Sequence, residues 1–475
     1  MKLTTVDLFA GLGGLSQGFV QAGFTPLFTN DFEEEQLETY AANHPAAELS
    51  DDDVQQISGE SILKRIGLKR GELDVVLGGP PCQGFSTYGQ RRTDDHRNRL
   101  FLEFARIIDE LQPRAFVMEN VVGLLSMEGG ALVEEILKTF RKKLRYATTM
   151  MVLDAVNFGV PQFRRRVFFV GLRGTQTAPS YPIPTHSSAP QCREKAKAQQ
   201  AWFFNVADLN TPITSQDDLS NFLTRFADEL EPAVTVREAI SDLPERVFPP
   251  RETDLTMPYP DTGRGKYATR MKGASAELMN HAAKRHLLRR SIRTALIDQG
   301  DYGNIVLSRL RERGIPESVM AHIVSGTFTE ADLHSIRDVD KGIESELLQQ
   351  LRNGQFEFHD VQDKVQSRGF ANKYRKLHWD EPSHTLVAHM ARDCSDFIHP
   401  ELNRPITVRE AARLQSFPDN YHFRSSHFRQ LRGIGNAVPP LLAEAMAWNV
   451  AAQLEKTHGA NLERQREQQN QPLAL

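Results

Sequence analysis

Residues 3–14 read LTTVDLFAGLGG, and this stretch decides the fold of the amino-terminal part of the chain. Its first half is a short apolar run, and its second half is a turn with three glycines that leads into the helical pattern of residues 15–22. A strand, a glycine-rich turn and a helix in this order are typical of a parallel α/β sheet. The turn predicts a nucleotide-like ligand, because glycines let a ligand approach the backbone at a helix amino terminus. A simple packing turn is the alternative.

Further short apolar runs follow at residues 25–30, 73–77, 115–118 and 167–172, and amphipathic helical stretches lie between them. This alternation predicts a doubly wound, mostly parallel sheet over residues 1–175. Asp31 closes the second run, where such folds place an acid on ribose hydroxyls, which favours a nucleotide ligand over a packing turn. The turn alone does not distinguish a nicotinamide cofactor from S-adenosylmethionine.

The 475 residues carry 57 Lys and Arg against 61 Asp and Glu, so a polyanionic partner must meet a local basic surface. Cys82, Cys192 and Cys394 are too few and too scattered for a disulfide framework or a cysteine-rich zinc site, and we expect no metal. No signal-peptide pattern and no apolar run of membrane-spanning length is evident. We therefore expect a cytoplasmic protein without a membrane partner.

The composition changes near residue 175 to Pro, Gln, Ser and charged residues, which places a domain boundary there. The region 176–425 mixes basic and aromatic residues, and its pattern does not specify a fold. The last segment, 426–475, contains an apolar helical stretch at 441–454 and a polar, Gln-rich tail at 463–471 that we expect to be frayed or disordered.

A second motif, GGPPCQGFS at residues 78–86, directly follows an apolar run. It places Cys82 at the ligand-binding edge of a parallel sheet, after two prolines that fix the backbone. A buried structural thiol is the usual role of a lone cysteine, but Pro and Gly neighbours are poor strand-interior residues, so we favour a nucleophile. The polar and basic stretch 88–99 suits a mobile lid over a phosphate backbone, and an ordinary solvated loop is the alternative.

Two further sets of residues point to the same sheet edge. Glu119 ends the apolar run 115–118 and should lie near Cys82, either as a helix cap or as a proton donor to a substrate ring. In the sequence QFRRR at residues 162–166, alternation places Arg164 and Arg166 on one face with Gln162, while Arg165 points away. That face could bind an anion, whereas a surface charge run is the default interpretation.

Taken in this order, the motifs resemble those of the cytosine-C5 DNA methyltransferase family, prokaryotic type. The resemblance is carried by residues 9–14, by PPCQ at 80–83, by ENV at 119–121 and by Gln162, Arg164 and Arg166. Residues 404–419 (RPITVREAARLQSFPD) and 433–440 (GIGNAVPP) resemble the family's last two blocks. The resemblance implies a Rossmann-like S-adenosylmethionine-dependent methyltransferase fold with a second, smaller target recognition domain. Residues 1–175 would form the catalytic and cofactor-binding domain, 176–425 the target recognition region, and 426–475 a segment that returns to the first domain.

The resemblance also implies roles for individual residues. Cys82 would attack C6 of a flipped-out cytosine, with Glu119, Arg164 and Arg166 as the other catalytic residues. Asp53 is the least secure of the cofactor residues, since the family usually has Gly-Asp-Ile where this chain has Asp52-Asp53-Val54 and the adenine contact could belong to a neighbouring aspartate. Asp31 also replaces the more frequent Glu. The cofactor pocket for S-adenosylmethionine would comprise Phe9, Gly11, Gly13, Asp31, Phe32, Asp53, Val54, Pro80, Leu100 and Asn436.

The implied partner is double-stranded DNA, with the protein cytoplasmic, associated with the nucleoid and monomeric on DNA. A restriction endonuclease partner, an orphan regulatory role and a phage-defence role all stay open.

Three other functions are alternatives to a DNA methyltransferase. A nicotinamide dehydrogenase needs no Pro-Pro-Cys motif. A transfer RNA methyltransferase of the same fold would use the same chemistry, although the long interval between Arg166 and Arg404 favours a region that recognises a DNA sequence. An inactive DNA-binding regulator would not need Cys82, Glu119 and Arg164.

Overall fold

The computed structural model describes residues 2–81, 100–188, 213–261, 263–284, 286–287, 299–300, 311, 314, 316–319, 356–357 and 375–469. For residues 286–287, 356–357, 393 and 458–469 the description is limited to the backbone. The chain forms two compact units, one made of Met1–Ala233 and Ala437–Leu475 and the other of Val234–Asn436. No helix in the described part of the chain is long and apolar enough to cross a membrane.

The first unit is built on a twisted sheet with the strand order β3-β2-β1-β4-β5-β7-β6. Neighbouring strands from β3 to β5 are parallel, and β7 runs antiparallel to both β5 and β6. The predicted doubly wound, mostly parallel sheet is therefore confirmed. The strands are β1 (Thr4–Leu8), β2 (Thr25–Asn30), β3 (Glu48–Ser50), β4 (Val75–Gly78), β5 (Ala115–Val121), β6 (Ala147–Asp154) and β7 (Arg165–Leu172).

Amphipathic helices connect the strands and cover the sheet. The apolar stripe predicted for the stretch after residue 100 is buried in α4, where Phe104, Ile107 and Ile108 are fully enclosed in the core. The second predicted helical stretch, after residue 131, starts as an α-helix and continues as a π-helix over Thr139–Lys143. The helices are α1 (Gly14–Gln21), α2 (Glu34–Asn43), α3 (Gly59–Ile66), α4 (Leu100–Leu111) and α5 (Ala131–Lys138).

The chain order of the strands reverses beside β1, because β2 lies on one side of it and β4 on the other. In open α/β sheets this switch point leaves a crevice at the carboxyl ends of the strands, where ligands bind. The glycine turn follows β1 and the Pro-Pro segment follows β4, so the two motifs flank the same crevice. The fold thus brings two motifs about 70 residues apart in sequence to the carboxyl ends of neighbouring strands, where one site could use both.

The first unit extends beyond residue 175, and it also includes the carboxyl-terminal segment of the chain. The Tyr181 hydroxyl donates to the Phe168 carbonyl at 3.0 Å, and the Ser180 amide donates to Gln453 at 2.8 Å. The boundaries at 175 and 425 follow composition and motif positions, whereas the compact units change at residues 233 and 437. The functions of the three predicted segments stay predictions. The further elements of this unit are α6 (Gln216–Arg225), β8 (His186–Ser187) paired with β9 (Glu231–Pro232), and the carboxyl-terminal helix, Pro440–Gln469.

This last helix packs closely on α1. A side chain at Gly18 would place its Cβ 2.3 Å from that of Ala443, so glycine is required for the helices to approach. The helix extends to Gln469, so the backbone of residues 463–469 in the polar tail is helical. Glu, Gln and Arg have high intrinsic helix propensity and continue a helix begun by the apolar stretch, and fraying of its end stays a prediction.

The second unit has a charged core supplied by residues 404–419. Arg404 forms a bidentate, fully buried pair with Glu410 at 2.6 and 2.8 Å, and Arg413 forms another with Asp419 at 2.6 and 2.7 Å. The charged residues of this motif thus pair with one another inside the unit, and each pair is bidentate. The described elements are α7 (Val236–Ile240), β10 (Thr256–Pro258), α8 (Lys266–Lys272), β11 (Glu277–Met279), β12 (His286–Leu287), β13 (Phe356–Glu357), α9 (Met390–Asp393), α10 (Val408–Leu414) and α11 (His427–Asn436), after which the carboxyl-terminal helix is α12.

Candidate active site

The turn after β1 has the backbone conformation that a ligand cradle requires. Phe9, Gly11 and Gly13 all have positive φ angles, of 58°, 55° and 86°. Gly13 is the N-cap of α1, so the turn directs the helix amino terminus toward the crevice. Apart from the adjoining residues Ala10 and Leu12, no atom of the described residues lies within 4 Å of the position that a Cβ on Gly11 would occupy. Open space beside this backbone is the feature expected of a cofactor turn.

Asp31 and Phe32 lie next to this turn, at the end of β2. The Asp31 carboxylate accepts hydrogen bonds from the Gly11 amide at 2.7 Å and from the Glu33 amide at 2.9 Å. It therefore fixes the distance between the glycine turn and the start of α2. The Phe32 ring is 77% exposed, which is unusual for a large apolar side chain and leaves a face available for stacking.

The short 3₁₀ turn Val54–Gln56 follows β3, the neighbour of β2 in the sheet. Asp53 caps this turn by accepting from the Gln55 amide at 3.0 Å, and Val54 is buried beneath it. The neighbouring Asp52 accepts from the Ser50 hydroxyl at 2.8 Å. Both carboxylates thus have protein donors, and the choice between them as the adenine contact stays a prediction.

Beyond β4 the chain runs through Gly79, Pro80 and Pro81. Cys82 and the predicted lid at residues 86–99 lie outside the described residues. The Pro80 carbonyl in the backbone that leads toward Cys82 is held, because Nδ2 of the Asn120 side chain donates to it at 2.9 Å. Asn120 in turn accepts from the Val121 amide at 2.8 Å, which fixes its orientation.

Glu119 lies against the same backbone segment. Its Oε2 atom lies 3.4 Å from the position that a Cβ on Gly79 would occupy, so the carboxylate is beside the chain three residues before Cys82. The other oxygen, Oε1, is 2.9 Å from Nε of Arg166, and the two side chains are only 11% and 12% exposed. This pair lies at the edge of the sheet where β5 ends, as the sequence predicts for Glu119.

Arg164 adds a second positive charge to the pair. Its side chain is fully buried, and its Nη1 atom lies 3.5 Å from Oε1 of Gln162. Its backbone amide donates to Asp154 at the end of β6, at 2.9 Å. Arg165 is exposed, so the predicted alternation of the QFRRR segment is observed.

Burial dominates the electrostatics of these groups. It raises the pKa of Glu119 above its ordinary value, although the charges of Arg166 and Arg164 oppose the shift. Burial also lowers the pKa of Arg164 far below its ordinary value, and the charge of Arg166 adds to this effect. The pKa of Arg166 is lowered by burial against the attraction of Glu119. A carboxyl group that holds its proton more strongly than in water, beside two guanidinium groups, suits proton donation to a ring nitrogen.

The remaining predicted residues are distributed over both units. Leu100 starts α4 in the first unit, and Pro80 is buried after β4. Asn436 is the exposed last residue of α11, in the second unit, and its place in the cofactor pocket stays a prediction.

Sequence reasoning left several supporting residues without a role. Asn120 and Asp154 position the Pro-Pro segment and Arg164, and both follow apolar runs. Asp7 is buried within β1, where its carboxylate accepts from Ser16 at 2.6 Å, and Ser16 is 2.8 Å from the Tyr40 hydroxyl. An acid inside an apolar strand was the available signal for this chain of hydrogen bonds.

Comparisons with known proteins agree in pointing to one family. The family model described as C-5 cytosine-specific DNA methylase matches residues 3–452. The Type II methyltransferase M.AgeI of Thalassovita gelatinovora is 45% identical over 445 residues, which cover 94% of this chain and 98% of the relative. The Type II methyltransferase M.DdeI of Desulfomicrobium norvegicum is 30% identical, with 97% and 91% covered.

The fold also has a solved counterpart. An E. coli structure described as a DNA modification methyltransferase encoded within a prophage superposes with a TM-score of 0.62. The identity is 22%, and the match covers 96% of this chain and 100% of the other. At this identity the likeness concerns the fold alone.

Proposed function

The chain belongs to the C-5 cytosine-specific DNA methylase family, and we infer from this membership that it is a DNA (cytosine-5-)-methyltransferase using S-adenosylmethionine. The substrate is cytosine in double-stranded DNA. One observation at the site carries the proposal: the buried carboxylate of Glu119, paired with Arg166, lies against the Gly79 backbone three residues before Cys82. A buried acid with a raised pKa in that place supports a site for a substrate ring.

S-adenosylmethionine would supply an electrophilic methyl group, and the residues at the switch point fit such a molecule. Open space beside Gly11 accommodates a ligand at the amino terminus of α1, and the exposed ring of Phe32 offers a stacking face. We propose that Asp31 also accepts from ribose hydroxyls, the role that acids at this strand end have in such folds. The proposed pocket consists of Phe9, Gly11, Gly13, Asp31, Phe32, Asp53, Val54, Pro80, Leu100 and Asn436.

We propose that the Cys82 thiolate attacks C6 of cytosine, so that an S–C6 bond forms and the ring electrons move toward N3. Glu119 donates a proton to N3, which neutralises the charge that develops there. C5 is then electron-rich and would accept the methyl group from S-adenosylmethionine, with S-adenosylhomocysteine as the leaving group. Water removes the C5 proton, the S–C6 bond breaks with its electron pair returning to the Cys82 thiolate, and N3 returns its proton to Glu119, which restores the ring.

The two arginines support the first step of this sequence. A free thiol titrates above neutral pH, and positive charge nearby favours its thiolate form. Arg164 is buried beside Arg166 at the same edge of the sheet. We propose that these two charges activate Cys82, and that the anion-binding face of Arg166 also neutralises Glu119 when it has lost its proton.

The target cytosine must leave the helical stack, because C5 and C6 are not accessible within a duplex, and this costs a few kcal/mol. We propose that residues 86–99 close over the flipped base. Limited proteolysis with and without cognate DNA tests this, since the loop should be protected in the complex. Cleavage at an unchanged rate would exclude it.

The relatives M.AgeI and M.DdeI are named Type II methyltransferases, and we propose that this chain likewise works beside a restriction endonuclease, as a monomer on DNA. DNA methylated by the protein should then resist that endonuclease. Analytical ultracentrifugation of the DNA complex should give one chain per duplex, and two chains would contradict the monomer.

The decisive experiment is transfer of labelled methyl groups to mixed-sequence duplex DNA and to transfer RNA, followed by bisulfite sequencing. Wild type is compared with Cys82→Ala and Glu119→Gln, and Arg165→Gln is a control on the exposed face of the QFRRR segment. We expect label on cytosine in DNA that is lost in Cys82→Ala, reduced 10²-fold or more in Glu119→Gln, roughly the size of a general-acid contribution, and kept in the control. Label on transfer RNA alone would overturn the substrate assignment.

A further inference from the structure

Arg106, in the middle of α4, connects this helix to the turn that carries Asp53 and Val54. Its Nη2 atom donates to the backbone carbonyl of Val54 and to that of Ile57, both at 2.9 Å. These carbonyls belong to the first residue of the 3₁₀ turn and to its C-cap. One guanidinium nitrogen thus holds both ends of the turn, 49 and 52 residues away along the chain.

The rest of the guanidinium is held by its own helix. Nε donates to Glu103 at 2.8 Å and Nη1 donates to Glu110 at 2.9 Å, one turn before and one turn after Arg106. Glu110 also accepts from the Gly59 amide at 2.5 Å, which ties the start of α3 to the same assembly. Four of the five N–H donors of the guanidinium group are therefore engaged. The hydrogen bonds to Glu103 and Glu110 fix the orientation in which Nη2 faces the turn.

The turn depends on this external support. It spans three residues and contains two backbone hydrogen bonds of its own, from Gln56 to Asp53 at 2.8 Å and from Ile57 to Val54 at 3.3 Å. A single 3₁₀ turn is not stable by itself, because it orders several residues for few hydrogen bonds. The position of the Asp53 carboxylate, which caps the turn, is thus set largely by what fixes the two ends of the turn.

We propose that Arg106 is a positioning residue for the adenine end of the cofactor. It does not contact the cofactor, and it acts by holding the Asp53–Val54 turn at the distance from β1 and β4 that the adenine ring requires. This inference rests on the proposed function, because it assumes that the crevice binds an adenosyl group. Its specific consequence is that Arg106 governs selectivity for adenine over other bases as well as affinity.

The test uses the full-length chain and two ligands that differ at the adenine amine: S-adenosylhomocysteine and S-inosylhomocysteine. Calorimetry gives the Kd of each ligand for wild type, Arg106→Gln, Arg106→Lys and Arg70→Gln, and methyl-transfer kinetics give kcat and the KM for DNA. Arg70 is the matched control, since it also donates to two backbone carbonyls of α4, those of Asp109 and Glu110, at the other end of the helix.

We expect Arg106→Gln to raise the Kd of S-adenosylhomocysteine roughly tenfold, because the two lost hydrogen bonds are within the protein and only part of their free energy would be expressed as displacement of the turn. The Kd of S-inosylhomocysteine should change much less, so the ratio of the two Kd values falls toward one. At saturating cofactor, kcat and the KM for DNA should stay within about threefold, half a log unit. Arg106→Lys should be intermediate, and Arg70→Gln should match wild type.

An unchanged ratio of Kd values in Arg106→Gln would overturn the inference, even if both affinities fell, because equal loss indicates a general structural role. If Arg106→Gln does not fold, Arg106→Lys decides by the same criterion. Wild type that binds neither ligand would overturn the cofactor assignment itself, and this outcome is distinct because it does not involve Arg106.

Discussion

Asp7 is the group whose protonation should affect the stability of the first unit most directly. Its carboxyl group is buried in β1, and burial raises its pKa from 3.8 to about 7, with the charge of Asp31 adding to the shift. The hydrogen bond from Ser16 opposes the shift only in part. The substitution Asp7→Asn keeps an oxygen acceptor for Ser16 and removes the ionisation, so it isolates the effect of charge.

The shift of about three pH units corresponds to about 4 kcal/mol, at about 1.4 kcal/mol per unit. Because the folded state binds this proton more tightly than the unfolded chain, its contribution to stability is complete below pH 4. It is lost as the pH rises from about 4 to about 7. Asp7→Asn should therefore become progressively more stable than wild type over this range, by up to about 4 kcal/mol, and the difference should stay constant at higher pH.

The assay is urea unfolding at pH values from 4.5 to 8.5, read by pulse proteolysis with mass spectrometry of fragments from β1 and β2. Fragment identity separates the first unit from the second, which matters because two compact units need not unfold as one. Asp51→Asn, at an exposed position, is the matched control and should follow wild type at every pH. If the curves of Asp7→Asn and wild type run parallel, the argument from burial is refuted.

Three further predictions concern packing, a buried ion pair and the site. Gly18→Ala should lower the free energy of unfolding by about 1–3 kcal/mol in thermal denaturation, because its Cβ would overlap Ala443, whereas a higher melting temperature would contradict the close helix crossing. Arg404→Met should cost about 3–5 kcal/mol at pH 7 by leaving Glu410 buried without its partner. Arg404 holds the pKa of Glu410 below its usual value, so the loss should shrink as the pH falls below about 4.5, and an equal loss in urea titrations at pH 7 and pH 4 would argue against this. Asn120→Ala should reduce methyl transfer about tenfold while costing only about 1 kcal/mol of stability, since it frees the Pro-Pro segment, and full activity would rule out that role.

The sequence alone was sufficient for the local features of the first unit. Apolar runs, helical stripes and glycine turns are encoded by neighbouring residues, and they predicted the central strands, α1 and α4 correctly. The alternation of residues 162–166 also placed Arg164 and Arg166 on one face, because side chains of an extended segment point alternately to opposite sides. The motifs then identified the family, since their residue types and order are specific.

Only the tertiary structure decided the features that depend on distant parts of the chain. The position of β7 between β5 and β6 is set by hydrogen bonding between strands, which composition does not encode. The pairing of Glu119 with Arg166 and the contact of Arg106 with Val54 join residues 47 and 52 positions apart. The sequence therefore determined which residues are available for chemistry, and the packing of the sheet and α4 determined which of them meet and how strongly burial shifts their pKa values, because both depend on contacts across the whole unit.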